Sequence, residues 1–435
     1  MLPFASRLGA VFVFSLAATA AHAATYYVAT NGNDGNPGTL SRPWKTLQRA
    51  ADRVAAGDTV NVRGGNYAGG NFETSGTASR PIVLQAYNSE VPVINANNPE
   101  TPDGINLEGA SYMMVKGFTV NGRTRAGIRA VTCNHVTIRD NRLDQNGTWG
   151  ILTGFCDDLL IENNVASRSV QQHGIYVSNS GDRPVIRRNS VWGNRQAGIH
   201  MNGDVSEGGD GIISGALVER NTIYSNGAAG ASGINMDGVQ NSLIRNNLLY
   251  DNHASGISLY QIDGGGPSTG NSILNNTVIV ASNGRWALNI QDGARNTIVT
   301  NNILYNLHSF RGIVDISPDS LPGLSSDYNA VMNRFTKNGG DTILTLAQWR
   351  QQTGLDAHSF VATPAQLFVN AGGNDYHLST SSPAIDHGAT LADVTTDLAG
   401  IARPQGAYYD IGAYEFARSG VMPESIDDDA LPPAL

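Results

Sequence analysis

Between residues 173 and 263 the sequence gathers groups that can hold charge or move a proton: His173, Tyr176, His200, Asn202, Asp204, Glu207, Asp210, Asn235, Asp237, Tyr260 and Asp263. Elimination beside a carboxylate needs three roles: a partner for the carboxylate, a base for the acidified C–H and an acid for the departing oxygen. His200 is the candidate base, because an imidazole titrates near neutrality. Tyr176 and Tyr260 are the candidate acids. His173, Asn202, Asn235, Asp237 and the more distant Arg129 are the candidate binding groups. Asp204, Glu207, Asp210 and Asp263 carry two other readings. They are candidate calcium ligands, since that ion takes several carboxylate and carbonyl oxygens, although D-x-x-E-x-x-D is not EF-hand spacing. Two of the acidic groups, Asp237 included, could instead be the pair of a glycoside hydrolase, which sits about 5 to 9.5 Å apart. No His-x-x-x-His or paired-Cys spacing suggests zinc. No glycine loop opening a helix suggests a nucleotide or other organic cofactor.

These residues are far apart in sequence and need a scaffold that brings them together. The dipeptide Gly-Ile recurs at Gly104, Gly127, Gly150, Gly174, Gly198, Gly233 and Gly256, gives way to Ala287-Leu288, and returns at Gly312, mostly at intervals of 23 or 24 residues. A second apolar pair follows each, as in "VTIRDN", "LLIENN", "PVIRRN", "ALVERN" and "SLIRNN". Short apolar strands at a fixed period cannot each bury a face alone; stacked, they share one core. The pattern predicts an all-β chain folded as a right-handed parallel β-helix. Asn141, Asn164, Asn189, Asn221, Asn247, Thr277 and Asn302 fall in one column. Asparagine accepts left-handed turns and bonds to nearby backbone, so stacking predicts an internal amide ladder. Arg139, Glu162, Arg187, Glu219 and Arg245 alternate in sign and read as a structural surface ladder.

Alternation along each Gly-Ile strand sends two columns outward. One reads Asn106, Arg129, Leu152, Tyr176, His200, Asn235, Ser258, Asn289; the other Glu108, Val131, Gly154, Ser178, Asn202, Asp237, Tyr260, Gln291. Both turn reactive in the middle rungs. There the repeats after Gly198 and Gly256 lengthen to 35 and 31 residues, through "GDVSEGGDGIISG" and "QIDGGGPSTG". Both insertions are predicted to leave one corner and flank the rung between them as walls of a groove. Cys133 and Cys156 each follow a repeat glycine by six residues and so stack on adjacent rungs. A disulfide and a pair of stacked buried thiols both fit that spacing.

A net charge of −9 gives no electrostatic footprint for nucleic acid or an anionic membrane. Residues 1–23 read as a signal peptide, with Arg7, a short apolar run and the small-x-small ending Ala21-His22-Ala23. No other segment approaches the roughly 20 apolar residues of a spanning helix. The expected organisation is a signal peptide (1–23), an N-terminal cap with a short helix about 44–55 and the first rungs (24–103), β-helix repeats (104–335), a C-terminal capping segment (336–416) and an acidic tail (417–435). The mature chain is expected in the periplasm or outside the cell, as a monomer or an oligomer whose size the sequence leaves open.

Three stretches carry a resemblance: the opening "YYVATNGNDGNPGTLSRPWKTLQ", the "NN"-punctuated rungs and the ending "SSPAIDHG…YYDIGAYEF". With them the chain resembles secreted right-handed β-helix proteins of the pectate lyase, alginate lyase and mannuronan epimerase type. The resemblance implies a polysaccharide partner, and most directly a lyase that cleaves a uronate-containing glycan by β-elimination. A hydrolase or epimerase using the Asp cluster, or a non-catalytic glycan-binding surface protein whose His and Tyr only stack on sugar rings, are the alternatives. The departures are specific. The rungs offer Lys116 alone as a lysine, the epimerases' Asp-Pro-His is missing, and "QQHGIY" is the nearest approach to the Gly-His-Gly of polygalacturonases. No catalytic residue is carried over from these families.

Overall fold

The computed structural model describes residues 23–417; residues 1–22 of the expected signal peptide and nearly all of the acidic tail lie outside them. Three parallel sheets of 12, 11 and 12 strands run the length of a right-handed solenoid. The 11-stranded sheet carries the Gly-Ile strands and is called the site sheet below. The repeat glycine has a steric cause. A Cβ on Gly150 would lie 2.6 Å from the carbonyl oxygen of Gly174, and one on Gly174 would lie 2.9 Å from that of Gly198. In these coils the approach at this corner is too close for a side chain; toward the C-terminal end it opens, and Ala287 and Ile313 take the position. The isoleucine that follows points inward, and Ile128, Ile151, Ile175, Ile199, Ile234 and Ile257 stack as fully buried residues.

The asparagine ladder forms, with one change of member. Asn141, Asn164, Asn189, Asn221, Asn247, Asn276, Asn302 and Asn329 pass amide hydrogen bonds from rung to rung at 3.0–3.1 Å. Asn276 takes the place expected for Thr277, because Ile273 rather than Leu274 pairs with Ile244. Similarly, Val314 pairs with Leu288, so Ile313 and not Gly312 occupies the glycine column. A second ladder, Asn194–Asn226–Asn252, follows the site sheet's preceding turn. In the middle of the ladder an amide uses all its capacity. Asn221 Oδ1 accepts from the backbone N–H and the side chain of Asn189, while its Nδ2 donates to Ile186 O and Asn247 Oδ1. The alternating charge column pairs as expected, with Arg187–Glu162 at 2.9 Å and Arg245–Glu219 at 2.7 Å. Lys116 belongs to this face, 4.0 Å from Asp140, and not to the site sheet.

The two ends are covered. The N-terminal helix is shorter than expected, Leu47–Ala51, capped by Thr46 and burying Leu47 and Ala50 at the solenoid's mouth. At the other end the helix Leu346–Thr353 lays Trp349 against Phe335, ring centroids 5.2 Å apart. The capping segment does more than close that end. It returns along the flank: Asn301 Nδ2 donates to Ala389 O, Asn246 Nδ2 to Thr396 O and Arg220 Nε to Leu398 O. Arg403, buried in this strap, donates to Glu415 at 2.8 Å and to the Gly412 carbonyl at 2.7 Å. Cys133 and Cys156 are joined as a disulfide, Cα atoms 4.6 Å apart.

The ladder makes a stability prediction. Asn221→Ala strands a backbone N–H at Asn189 and a carbonyl at Ile186, and should cost about 3 kcal/mol at ~1–3 kcal/mol for each orphaned buried group. Urea unfolding should show the midpoint falling for Asn221→Ala, while Arg183→Gln, in the more exposed pair with Asp158, shifts it by less than about 1 kcal/mol.

Candidate active site

The strand register makes the outward columns physical. Tyr176, His200, Asn235 and Ser258 stand on successive rungs, as do Ser178, Asn202, Asp237 and Tyr260. At the corner before these strands, His173 is buried at 4 % exposure and accepts the Ala197 backbone N–H at Nδ1, 3.1 Å away. A backbone donor cannot reverse its role, so the proton of neutral His173 is on Nε2. That nitrogen lies 3.1 Å from His200 Nδ1, which therefore accepts. The remaining proton of His200 is on Nε2, facing Tyr260 Oη at 3.4 Å. A fixed backbone amide thus sets the tautomers of two histidines in series. Burial pushes His200 down to about 4, and burial followed by the His200 charge holds His173 well below its ordinary range. At neutral pH, His200 presents an N–H and no free lone pair to the groove. The expectation that it is the base fails in this arrangement.

Of the two tyrosines, Tyr176 fits the acid role. Tyr176 stacks on His200, centroids 5.1 Å apart, and accepts from Asn202 Nδ2 at 3.2 Å. Burial first, then neighbouring aspartates, raises Tyr176 and Tyr260 above the usual phenol value. Trp149 extends the ring stack on the other side of Tyr176, 5.8 Å away, with Nε1 donating to Gln172. Sequence reasoning misses it. Its one signal is a tryptophan directly before Gly150, in a column that otherwise reads Ala126, His173, Ala197 and Ser232. Asn202 is 3 % exposed; its Nδ2 also reaches Asp263 Oδ2 at 3.4 Å, while its Oδ1 is buried and has no partner among the described residues.

Several expected binding groups serve the scaffold instead. Asp237 accepts the backbone N–H groups of Ile262, Asp263 and Gly264 at 2.9–3.0 Å, which clamps the second insertion at its root. Burial pushes its carboxyl up, and the three amides pull it back. Both oxygens face the loop and the side chain is buried, so Asp237 serves as a clamp on the wall rather than as a group open to the groove. Asn235 is buried and its Oδ1 holds the Ser232 N–H at 3.1 Å. Arg129 lies two rungs from Tyr176, with Leu152 between, and pairs with Glu108 while donating to Asn106.

The insertions leave the same corner, as expected, but they meet. Val205 N–H donates to Asp263 O at 2.9 Å and Gly265 N–H to Gly211 O at 2.7 Å. Gly238 and Gly264 pack so closely that a Cβ on Gly264 would lie 2.5 Å from Gly238 Cα. One joined wall results, with Val205 and Ile262 exposed upon it at 51 % and 76 %. The proposed calcium ligands do not converge. Asp204 accepts from Ser206 and Asp210 from Ile212 within their own loop. Among the described residues no three His, Cys, Asp or Glu side chains gather at metal-binding distance. The residues present do not fit that ion.

Known proteins share this architecture. Residues 26–166 match the family model "Pel9A-like, right handed beta helix region" and residues 149–316 match "Right handed beta helix region". The crystal structure of pectate lyase Pel9A superposes with a TM-score of 0.63 at 17 % identity, covering 91 % of this chain and 96 % of that one. The chain is a right-handed parallel β-helix, the fold it shares with that lyase. An alginate lyase from a Paenibacillus strain superposes with a TM-score of 0.51 at 20 % identity, over 67 % of this chain and 97 % of its own. Pectate lyase PEL9 of Emericella nidulans is 40 % identical over 96 residues, 21 % of this chain and 23 % of that protein. The curated relatives align over about a quarter of their own length. No helix among the described residues is long and apolar enough to cross a membrane.

The buried histidines predict acid sensitivity. Both are depressed below the ordinary 6.5, so their contribution to stability is present above that value and is lost as pH falls toward 4. The melting temperature should drop between pH 6.5 and 4, and His173→Gln/His200→Gln should flatten that drop in a calorimetric series.

Proposed function

We propose that this is an exported polysaccharide lyase acting on a uronate-containing glycan by β-elimination. The observation that carries the reading is the convergence of Tyr176, His200 and Tyr260 on the outer face of the site sheet, beneath the joined loop wall. The superposition on lyases supports the architecture, and the exposed loop wall supports a polymer laid across the rungs. In the reaction the C5–H bond breaks, its electron pair becomes the C4=C5 double bond, and the C4–O4 bond breaks with O4 taking a proton. Tyr260, as phenolate, receives the C5 proton, and the Nε2–H of His200 steadies that negative oxygen. Tyr176 gives its proton to O4. His200 is thus a hydrogen-bond donor to the base rather than the base itself, and His173 holds it in that state. Hydrolysis by the aspartates loses support because Asp237 is committed to three loop amides.

The test is an ultraviolet scan of the purified protein with polygalacturonate, alginate, glucuronan and glycosaminoglycans. Rising absorbance from a new C4=C5 bond is expected for at least one. Tyr260→Phe should lower kcat by about 10²–10⁴-fold, the usual worth of a proton-transfer group. New reducing ends without absorbance would replace elimination with hydrolysis. Because Tyr260 is raised above its ordinary value, the phenolate is scarce at neutrality. The rate should therefore climb about tenfold per pH unit from pH 7 to 9. A flat profile over that interval would remove Tyr260 as the base.

A further inference from the structure

The turns that precede the site-sheet strands carry arginines beyond those of the candidate active site. Arg195, Arg285, Arg311 and Arg334 lie on one corner, from the coil of His200 to the last strand of the sheet. Five rung steps separate the ends, about 24 Å at the usual strand spacing. Local contacts link them into one strip. The Ala229 N–H donates to Arg195 O, and an Arg285 Nη lies beside Gly230, 3.5 Å from where its Cβ would be. Arg311 donates to Gly284 O at 3.0 Å, and Arg334 donates to His308 O and Ser309 O at 3.1 and 2.6 Å. The positive charge is felt locally. Burial, then Arg311 and Arg334, hold His308 below its ordinary range.

Among the described residues none of the four has an ion-pair partner, whereas Arg63, Arg125, Arg129, Arg168, Arg183, Arg187 and Arg245 each stand against a carboxylate. The nearby carboxylate of the adjoining outward column, Asp315, is buried and holds the Gly339 N–H. Arg195 and Arg285 are exposed. Phe310, 51 % exposed, sits among them beside Arg311. In a chain of net charge −9 this is a local reversal of sign along an edge of the groove. Guanidinium forks match carboxylates, and an exposed ring offers a face to the apolar side of a sugar.

We infer that this strip is a binding site for an extended acidic glycan, which runs parallel to the solenoid axis from the Tyr–His cluster toward the C-terminal end. The inference rests on the proposed function for the direction of the polymer but not for its charge. One edge of the groove pairs with successive carboxylates, while the loop wall confines the opposite edge. The strip accounts for affinity and for preference for long chains. The tyrosines act only on the bond laid over them.

Binding can be read without turnover. Affinity electrophoresis and calorimetry of the intact protein would use polygalacturonate, alginate and neutral dextran at low salt and at about 0.5 M NaCl, where screening is strong. The double variant Arg195→Gln/Arg285→Gln removes two exposed guanidinium groups from the strip. It should weaken binding to a polyuronate by roughly tenfold or more, as expected for two charge-assisted contacts. Added salt should erase most of the wild-type affinity. Arg42→Gln/Arg53→Gln, the same charge change at the N-terminal end, should stay within about twofold. The inference is overturned if both double variants bind alike, if the wild type binds dextran as tightly as the polyuronates, or if it binds none of them. Strip-dependent binding without any elimination product leaves this site standing and removes the lyase reading. Elimination with binding indifferent to Arg195 and Arg285 does the reverse.

Discussion

Everything in this molecule depends on satisfying backbone and amide groups at the corners of a closed coil. Parallel strands only three or four residues long supply little ladder hydrogen bonding of their own, and each coil must turn three times. The turns are non-glycine residues in left-handed geometry at many positions, among them Asp140, Asn163, Arg188, Arg220 and Asn246. What makes such turns tolerable is the residue that follows. Asn141, Asn164, Asn189, Asn221 and Asn247 reach inward to bind the neighbouring coil's backbone. Without that internal amide column the corners would carry unsatisfied polar groups in an apolar core. The rigidity it imparts is what allows side chains from different coils to be held at hydrogen-bond distance on the outside.

That rigidity sets the chemistry of the candidate site. The chain from Ala197 N–H through His173 and His200 to Tyr260 passes between two coils and spans a third before it ends. Its direction is decided at one end by a backbone amide, so no side-chain rotation can reverse it. The result is a site rich in donors. A site of neutral donors suits a substrate that brings its own negative charge, and the arginine edge has the same preference in stronger form. The two proposed features, one inside the groove and one along its rim, share a preference for the same kind of ligand.

The repeat, the stacked cysteines and both outward columns were legible because a strict period forces residues of one type into one line. Legibility failed where the period did. At Leu274 and at Gly312 the true register differs from the apparent one by a single residue, since an insertion upstream leaves two adjacent apolar residues competing for the inward position. The meeting of the two insertions was invisible for another reason. Each glycine-rich loop reads alone as a free turn, and main-chain bonds from Val205 to Asp263 and from Gly265 to Gly211 join them. Nor did residue type reveal that Asp237 is a clamp. A buried carboxylate facing three amides and an exposed one facing a sugar look identical in a sequence. The histidine tautomers depended on a main-chain donor, Ala197, which has no sequence signature at all.

The bridge between Cys133 and Cys156 joins equivalent points of neighbouring coils, so it closes one full circuit of the chain into a covalent ring. In a stack where each layer touches only the next, unwinding travels from an end like a zipper opening tooth by tooth. A ring cannot be unwound. It stands immediately upstream of the coils that hold Tyr176 and His200, and therefore acts as a stop against which fraying from the N-terminal mouth halts before it reaches them. Loop-closure entropy for a circuit of this size is on the order of 3 kcal/mol. The mouth of the molecule can breathe while the reactive coils behind the ring remain in register.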